Sequence, residues 1–184
     1  MATLPARELK TEDNLHYVKY GEEENFVLAN KGFTNWTESL NANIEDGTQF
    51  IGEKSSTSML MGYSPSIAYG GTVYPGDPFS YWVYQIGKLR KTNQKFTEVE
   101  VETWNPVDSK ENTYHAYQHE YEVQPSNPGS GEGGGKLTAE GTFASVAEPV
   151  EGEFNISTKT FTPASELSVQ TMSAPANTKS TATK

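Results

Sequence analysis

Apolar and polar residues alternate with a period of two along much of this chain, and with a helical period over one clear stretch. In that stretch Phe79, Trp82, Val83, Ile86 and Leu89 recur at spacings of three and four, the signature of one face of an amphipathic helix. The spacing predicts a helix over about 77–91. Asp77 suits the N-cap, Pro78 the first helical position, and Lys88, Arg90 and Lys91 the negative end of the dipole. The five apolar residues are expected to pack this helix against a sheet.

The period-two stretches predict the sheet. A first strand is expected over about 14–20, followed by the acidic turn Gly21-Glu22-Glu23-Glu24, and a second over 33–40. A long strand is expected over 59–74, with Gly62, Gly70 and Gly71 marking bends or a bulge. Over 95–104, Glu98, Glu100 and Glu102 fall on one face and Val99, Val101 and Thr103 on the other. Over 114–123, His115, Tyr117, His119, Tyr121 and Val123 oppose Gln118, Glu120 and Glu122. A Gly-rich loop over 125–135 precedes strands at about 136–146 and 150–161; in the last, Val150, Phe154 and Ile156 oppose Glu151, Glu153 and Asn155. These patterns predict a mainly β fold, a β-sandwich or partly closed barrel of about seven strands with one flanking helix.

Two segments stand outside the periodicity. Residues 41–58 are rich in Asn, Ser, Thr, Gly and charge, and a connection of that length tends to be functional or mobile. Its apolar Ile44, Phe50 and Ile51, set among Glu45, Asp46, Glu53 and Lys54, imply that it docks onto something. Residues 164–184 are dominated by Ser, Thr, Ala and Pro without an aromatic, and are expected to form a flexible arm after a domain spanning 1–163.

Composition sharpens this picture. A chain of 184 residues can bury one core, yet hydrophobic residues make up only 34% and the mean hydropathy is −0.66. Either much of the chain is solvated loop or other copies complete the burial. The net charge of −10 argues against a tight nucleic-acid binder, which needs a basic footprint. It does not argue against a protein that lies beside DNA without holding it. There are no cysteines, which removes disulfides, thiolate metal sites and cysteine nucleophiles. The amino terminus has no apolar signal core and no apolar run approaches the roughly 20 residues that span a bilayer. Synthesis and folding in a cytoplasm are therefore expected, with no membrane partner, and the sequons at Asn35 and Asn155 read as chance matches.

The candidate chemistry is thin. His115 and His119 would share a strand face but lie about 13 Å apart at roughly 3.3 Å per residue, too far for one metal. Gly129-Ser130-Gly131-Glu132-Gly133-Gly134 matches a dinucleotide Gly pattern but leads into a strand, with a glutamate where phosphate would sit. The carboxylates at 98, 100, 102, 120, 122, 151 and 153 repeat with the strand period, as a solvated acidic face would, rather than as an acid/base pair. The expectation is a protein without a catalytic residue, metal or cofactor. An alternative reading takes Trp36, Trp104 and the tyrosines as a sugar-binding platform on a carbohydrate-binding or virion-decoration module.

The succession Met61-Gly62-Tyr63-Ser64-Pro65-Ser66-Ile67, then Asp77-Pro78 and the helix, then Gly133-Gly134-Gly135-Lys136-Leu137-Thr138-Ala139-Glu140-Gly141 and Glu148-Pro149-Val150-Glu151-Gly152-Glu153-Phe154, resembles the major tail (tail tube) proteins of long non-contractile-tailed phages, especially those of Gram-positive hosts. The resemblance covers about residues 10–163. It implies a β-sandwich with a lateral helix, assembled as hexameric rings that stack into a tube conducting DNA during ejection. It implies a virion location after assembly in the host cytoplasm. Other copies of the chain, tape-measure, tail-terminator and distal tail proteins, and passing double-stranded DNA held only loosely would be its partners. Residues 41–58, with Ile44, Glu45, Asp46, Phe50, Ile51, Glu53 and Lys54, correspond to the ring-stacking loop. Some of Glu98, Glu100, Glu102, Glu120, Glu122, Glu151 and Glu153 would line the lumen, where like charge repels phosphate.

Overall fold

One long strand organises the molecule, here described from a computed structural model covering residues 5–47, 51–52, 55 and 57–166. After a short 3-10 turn (Thr11–Asp13), the strands are β1 (Asn14–Tyr20), β2 (Val27–Leu28), β3 (Phe33–Ser39), β4 (Ala42–Asp46), β5 (Ser58–Tyr63) and β6 (Ser66–Thr72). Helix α1 (Pro78–Leu89) follows, then β7 (Lys95–Pro106), β8 (Thr113–Ser130), β9 (Thr138–Ser145), β10 (Val150–Asn155) and β11 (Thr160–Pro163). β8 pairs with β7 along one edge. On its other edge it pairs with β9 through its second half and with β10 through its first. All pairings are antiparallel, and the main sheet runs β2-β1-β7-β8-β9-β6-β3, with β10 and β11 attached beside β8.

The expected mainly β architecture with one helix is what the chain forms: a seven-strand sheet curled into a half-barrel. Several bulges allow the curl, including register shifts in β8 between Pro125 and Asn127 and between Asn127 and Ser130. Two apolar clusters fill its two faces. Inside the curl lie Val18, Tyr20, Ile67, Tyr69, Phe96, Tyr121, Val123 and Phe143, closed over by Phe79, Val83 and Ile86 of α1. On the opposite face Tyr17, Phe26, Val99, Val101, Ala116 and Phe154 pack together. β7 is therefore buried on both sides, which is why its alternation does not separate a wet face from a dry one.

α1 begins as its sequence predicts. Asp77 is an extended N-cap that accepts a hydrogen bond from the Ser80 amide at 2.9 Å and another from the Lys31 amide at 3.2 Å. The helix ends at Arg90 in the left-handed conformation (φ 53°), with the Lys91 amide donating to Ile86 O, a closing bond of the Schellman type. The apolar stripe is narrower than expected. Leu89 is 63% exposed, because at about 100° per residue it sits roughly 80° from Phe79. Trp82 shares that flank but is covered by Tyr20, 5.0 Å away.

Three further boundaries differ from expectation. The strand expected over 59–74 is broken at Ser64-Pro65 into β5 and β6, and that over 150–161 is two strands. The Gly-rich loop shrinks because β8 continues to Ser130. The glycines at 70 and 71 stay inside a regular β6, and the bulge falls opposite them, between Phe33 and Asn35. Gly71 is required by close approach: a Cβ there would run into the Gly32 carbonyl. Of the expected C-terminal arm, 164–166 begin a helical turn after β11, and 167–184 lie outside the described residues.

Candidate assembly surfaces

Residues 42–63, expected as an irregular loop over most of their length, contain a second, two-stranded sheet. β4 and β5 pair from Ala42↔Tyr63 to Asp46↔Ser58, with a bulge between Asn43 and Ile44. Continued straight back from β6, the chain would run beside β10, the place that β11 occupies. It bends instead at Asn41 (φ 47°) and Pro65, and the hairpin leaves the barrel. Its root is tied: Asn41 Nδ2 donates to Ser64 O and Ser66 Oγ, both at 3.0 Å, and Asn43 Nδ2 to Ser64 Oγ at 2.9 Å.

Beyond that root, and among the described residues, the side chains of β4 and β5 are almost all exposed. The register puts Tyr63, Leu60 and Ile44 on one face, and all three are at least half exposed, as are Leu40, Met59 and Met61. A two-stranded sheet alone is at best marginal in water, and contiguous apolar exposure on this scale marks an interaction surface. Of the residues expected in a stacking loop, Ile44, Glu45 and Asp46 lie on β4 and Ile51 in the connecting turn, while Phe50, Glu53 and Lys54 lie outside the described residues. The residues that sequence reasoning missed are Leu40, Met59, Leu60, Met61 and Tyr63. Their signal was the run Met59-Leu60-Met61, which was absorbed into the long strand expected over 59–74.

The seven carboxylates do not share one surface. Register across β7, β8 and β10 puts Glu98, Glu100, Glu102, Glu151 and Glu153 on the face that carries Phe96, and Glu120 and Glu122 on the other. Glu98 is 2% exposed and its Oε1 lies 2.6 Å from His16 Nδ1. Glu100 accepts from Asn14 Nδ2 at 2.6 Å, Glu102 from Asn105 Nδ2 at 2.8 Å, and Glu153 pairs with Lys110 Nζ. Glu100, Tyr117 and Glu151 form one row across three strands. Burial first, then the charges of Glu102, Glu151 and Glu100, raise the Tyr117 pKa above its ordinary value, so these three carboxylates make one local negative field.

Other expected features are placed elsewhere. Trp36 packs into the barrel core against Phe33 and Phe143, and Trp104 Nε1 donates to Asn14 Oδ1 at 3.1 Å, so neither lies flat on an open platform. His119 stacks on Tyr121, and His115 stands opposite Glu153 in the β8–β10 register. Among the described residues, β2, β3 and β11 each have one unpaired edge, the feature that invites another strand. Among the described residues, no helix is long and apolar enough to cross a membrane.

No protein-family model matches the chain, and no curated protein matches it. Solved structures do. A chain from the tail of an empty GTA particle, refined helically with C6 symmetry, superposes with a TM-score of 0.51 at 18% identity, covering 77% of this chain and 97% of that one. A chain of the native gene transfer agent virion gives 0.49 at 16% over the same shares. One from the six-fold symmetrised baseplate of the anti-feeding prophage gives 0.46 at 10%, over 85% and 99%. At 18% identity the first of these likenesses is one of fold.

Proposed function

We propose that this chain is a structural subunit of a phage-type tail tube, forming six-membered rings that stack through the β4–β5 hairpin. The observation that carries the reading is that hairpin: a firmly rooted two-stranded sheet with its apolar side chains in solvent. Such a surface has a use only when a partner covers it, and closed rings of one chain supply that partner repeatedly. A fold in common with a chain from a C6-symmetric tail supports the six-fold ring. The free edges of β3 and β11 allow sheets to continue between neighbours within a ring, which would remove the exposed edges.

In this reading the chain works in the virion tail after assembly in the host cytoplasm. Tape-measure, terminator and distal tail proteins are its heterologous partners. The field around Glu100, Glu102 and Glu151 faces the lumen and repels the phosphates of passing DNA. The subunit does no chemistry.

Electron microscopy of the purified protein tests the proposal. Rings or tubes of uniform width are expected from the wild type. The double substitution Ile44→Asp and Leu60→Asp is expected to leave single rings or monomers. Tubes of normal length from that variant would overturn the stacking role. For the lumen, Glu102→Lys with Glu151→Lys is expected to slow DNA delivery by assembled particles, and unchanged delivery would remove the repulsion argument.

A further inference from the structure

The curled sheet does not close. β1 and β3 meet at its mouth without pairing, since the strand order joins them only the long way round through β7, β8, β9 and β6. At this seam the His16 ring on β1 lies 5.2 Å from the Trp36 ring on β3, and its Nδ1 is 2.6 Å from Glu98 Oε1 on β7. A cavity of about 200 Å³ opens here, with His16, Glu98, Glu100, Glu38, Trp36 and Tyr121 in its wall.

The groups around the imidazole are unbalanced in charge. Glu98 and Glu100 face it from β7, and Glu38 faces it from β3. From β8 come Tyr121 in the wall and His119, the cross-strand partner of Glu98. β1 itself adds Asn14, already bonded to Glu100; β6 contributes the apolar Ile67, and Thr11 lies at the rim. No lysine or arginine is among these lining residues. Three carboxylates from two different strands therefore converge on one imidazole, across a gap that no strand pairing bridges among the described residues.

We propose that His16 is a pH-operated latch on this seam: as imidazolium it draws Glu38 of β3 toward Glu98 and Glu100 of β7, and on losing its proton it releases β3. Burial opposes charge on His16, but the hydrogen bond to Glu98 and then the charges of Glu98, Glu100 and Glu38 outweigh it, and its pKa is raised above the ordinary value. A pKa raised by folding stabilises fully below the unfolded value of about 6.5, and that contribution is lost as pH rises through the folded value. With the proton gone, three carboxylates surround one cavity and repel across the seam. Because β3 runs through Leu40 into β4, the position of the hairpin follows the latch. The latch itself stands whether or not the hairpin stacks rings.

Amide hydrogen exchange of the full chain at about pH 6 and about pH 9, corrected for intrinsic rates, tests this. Protection over Phe33–Ser39 is expected to fall by at least roughly tenfold at the higher pH, while that of Tyr121 and Val123 in β8 stays level. Glu38→Gln, at an exposed position, removes the repulsion and is expected to abolish the fall while the His16 ring still titrates by NMR. His16→Gln is expected to show low β3 protection at both pH values. Equal wild-type protection at the two pH values, or an undiminished fall in Glu38→Gln, overturns the latch. The exposed variant decides the matter even where His16→Gln fails to fold.

Discussion

Phe143 and Leu60 are both large apolar side chains on antiparallel strands, and they meet opposite fates. Phe143 is 0% exposed, with the rings of Tyr69, Phe96 and Trp36 at 4.2, 4.8 and 5.2 Å. Leu60 is 50% exposed on a sheet of two strands. The barrel's side chains are satisfied within one copy, although edges of its sheet stay open: its helix closes the inner face, and its second face has a cluster of its own. Among the described residues, the hairpin is held by its root hydrogen bonds and its own ladder. Evolution has no reason to keep apolar side chains in water for the stability of one copy, so the difference separates what folds the subunit from what the subunit offers to others.

Substitutions in the barrel should therefore register on the isolated chain, and the largest effect is expected at its centre. Phe143→Ala should cost about 3–5 kcal/mol, the usual loss for a buried aromatic that leaves a cavity, measured by urea unfolding. A cost below about 1 kcal/mol would mean that the barrel is not the unit that holds the fold. Gly71→Ala comes next at about 1–3 kcal/mol, because its Cβ meets the Gly32 carbonyl and the Phe33 backbone rather than a side chain that can turn away. Asp77→Ala should cost about 1 kcal/mol through the lost helix cap, seen as a lower thermal midpoint. The Lys31 amide loses its carboxylate partner as well, so Asp77→Asn should recover part of the loss.

The barrel half of this contrast was largely legible in the sequence, and the hairpin half was not. β1 spans the predicted residues, and α1 starts at the predicted cap, because period and capping are local properties of the chain. Alternation in β7 and β8 was also legible, but alternation alone does not say which face is dry. Glu98 ends up 2% exposed because His16, 82 positions earlier in the chain, comes to its side through β1–β7 pairing, and nothing local to either residue announces that. The hairpin escaped for a different reason. With both faces of β4 and β5 in solvent, selection imposes no inside–outside period, so the segment between Asn41 and Ser58 resembles a loop. Leu89 erred in the opposite direction: it lies three residues from Ile86, as the stripe requires, but its angle of roughly 80° from Phe79 leaves it 63% exposed.

The smallest expected effect is the one that bears most on the contrast. Leu60→Asn and Ile44→Thr remove apolar surface that already faces water, and substitution at such exposed positions usually changes stability by no more than about 0.5 kcal/mol. Thr also suits a strand as well as Ile does by its branched Cβ, so the β4–β5 ladder has no local reason to weaken. Urea unfolding of the unassembled double variant should therefore overlay that of the wild type, with the same midpoint and slope. Were the variant instead destabilised as much as Phe143→Ala, the hairpin would be folding against the barrel in solution. Its exposed stripe would then be part of the subunit's own core rather than a surface kept open for another copy.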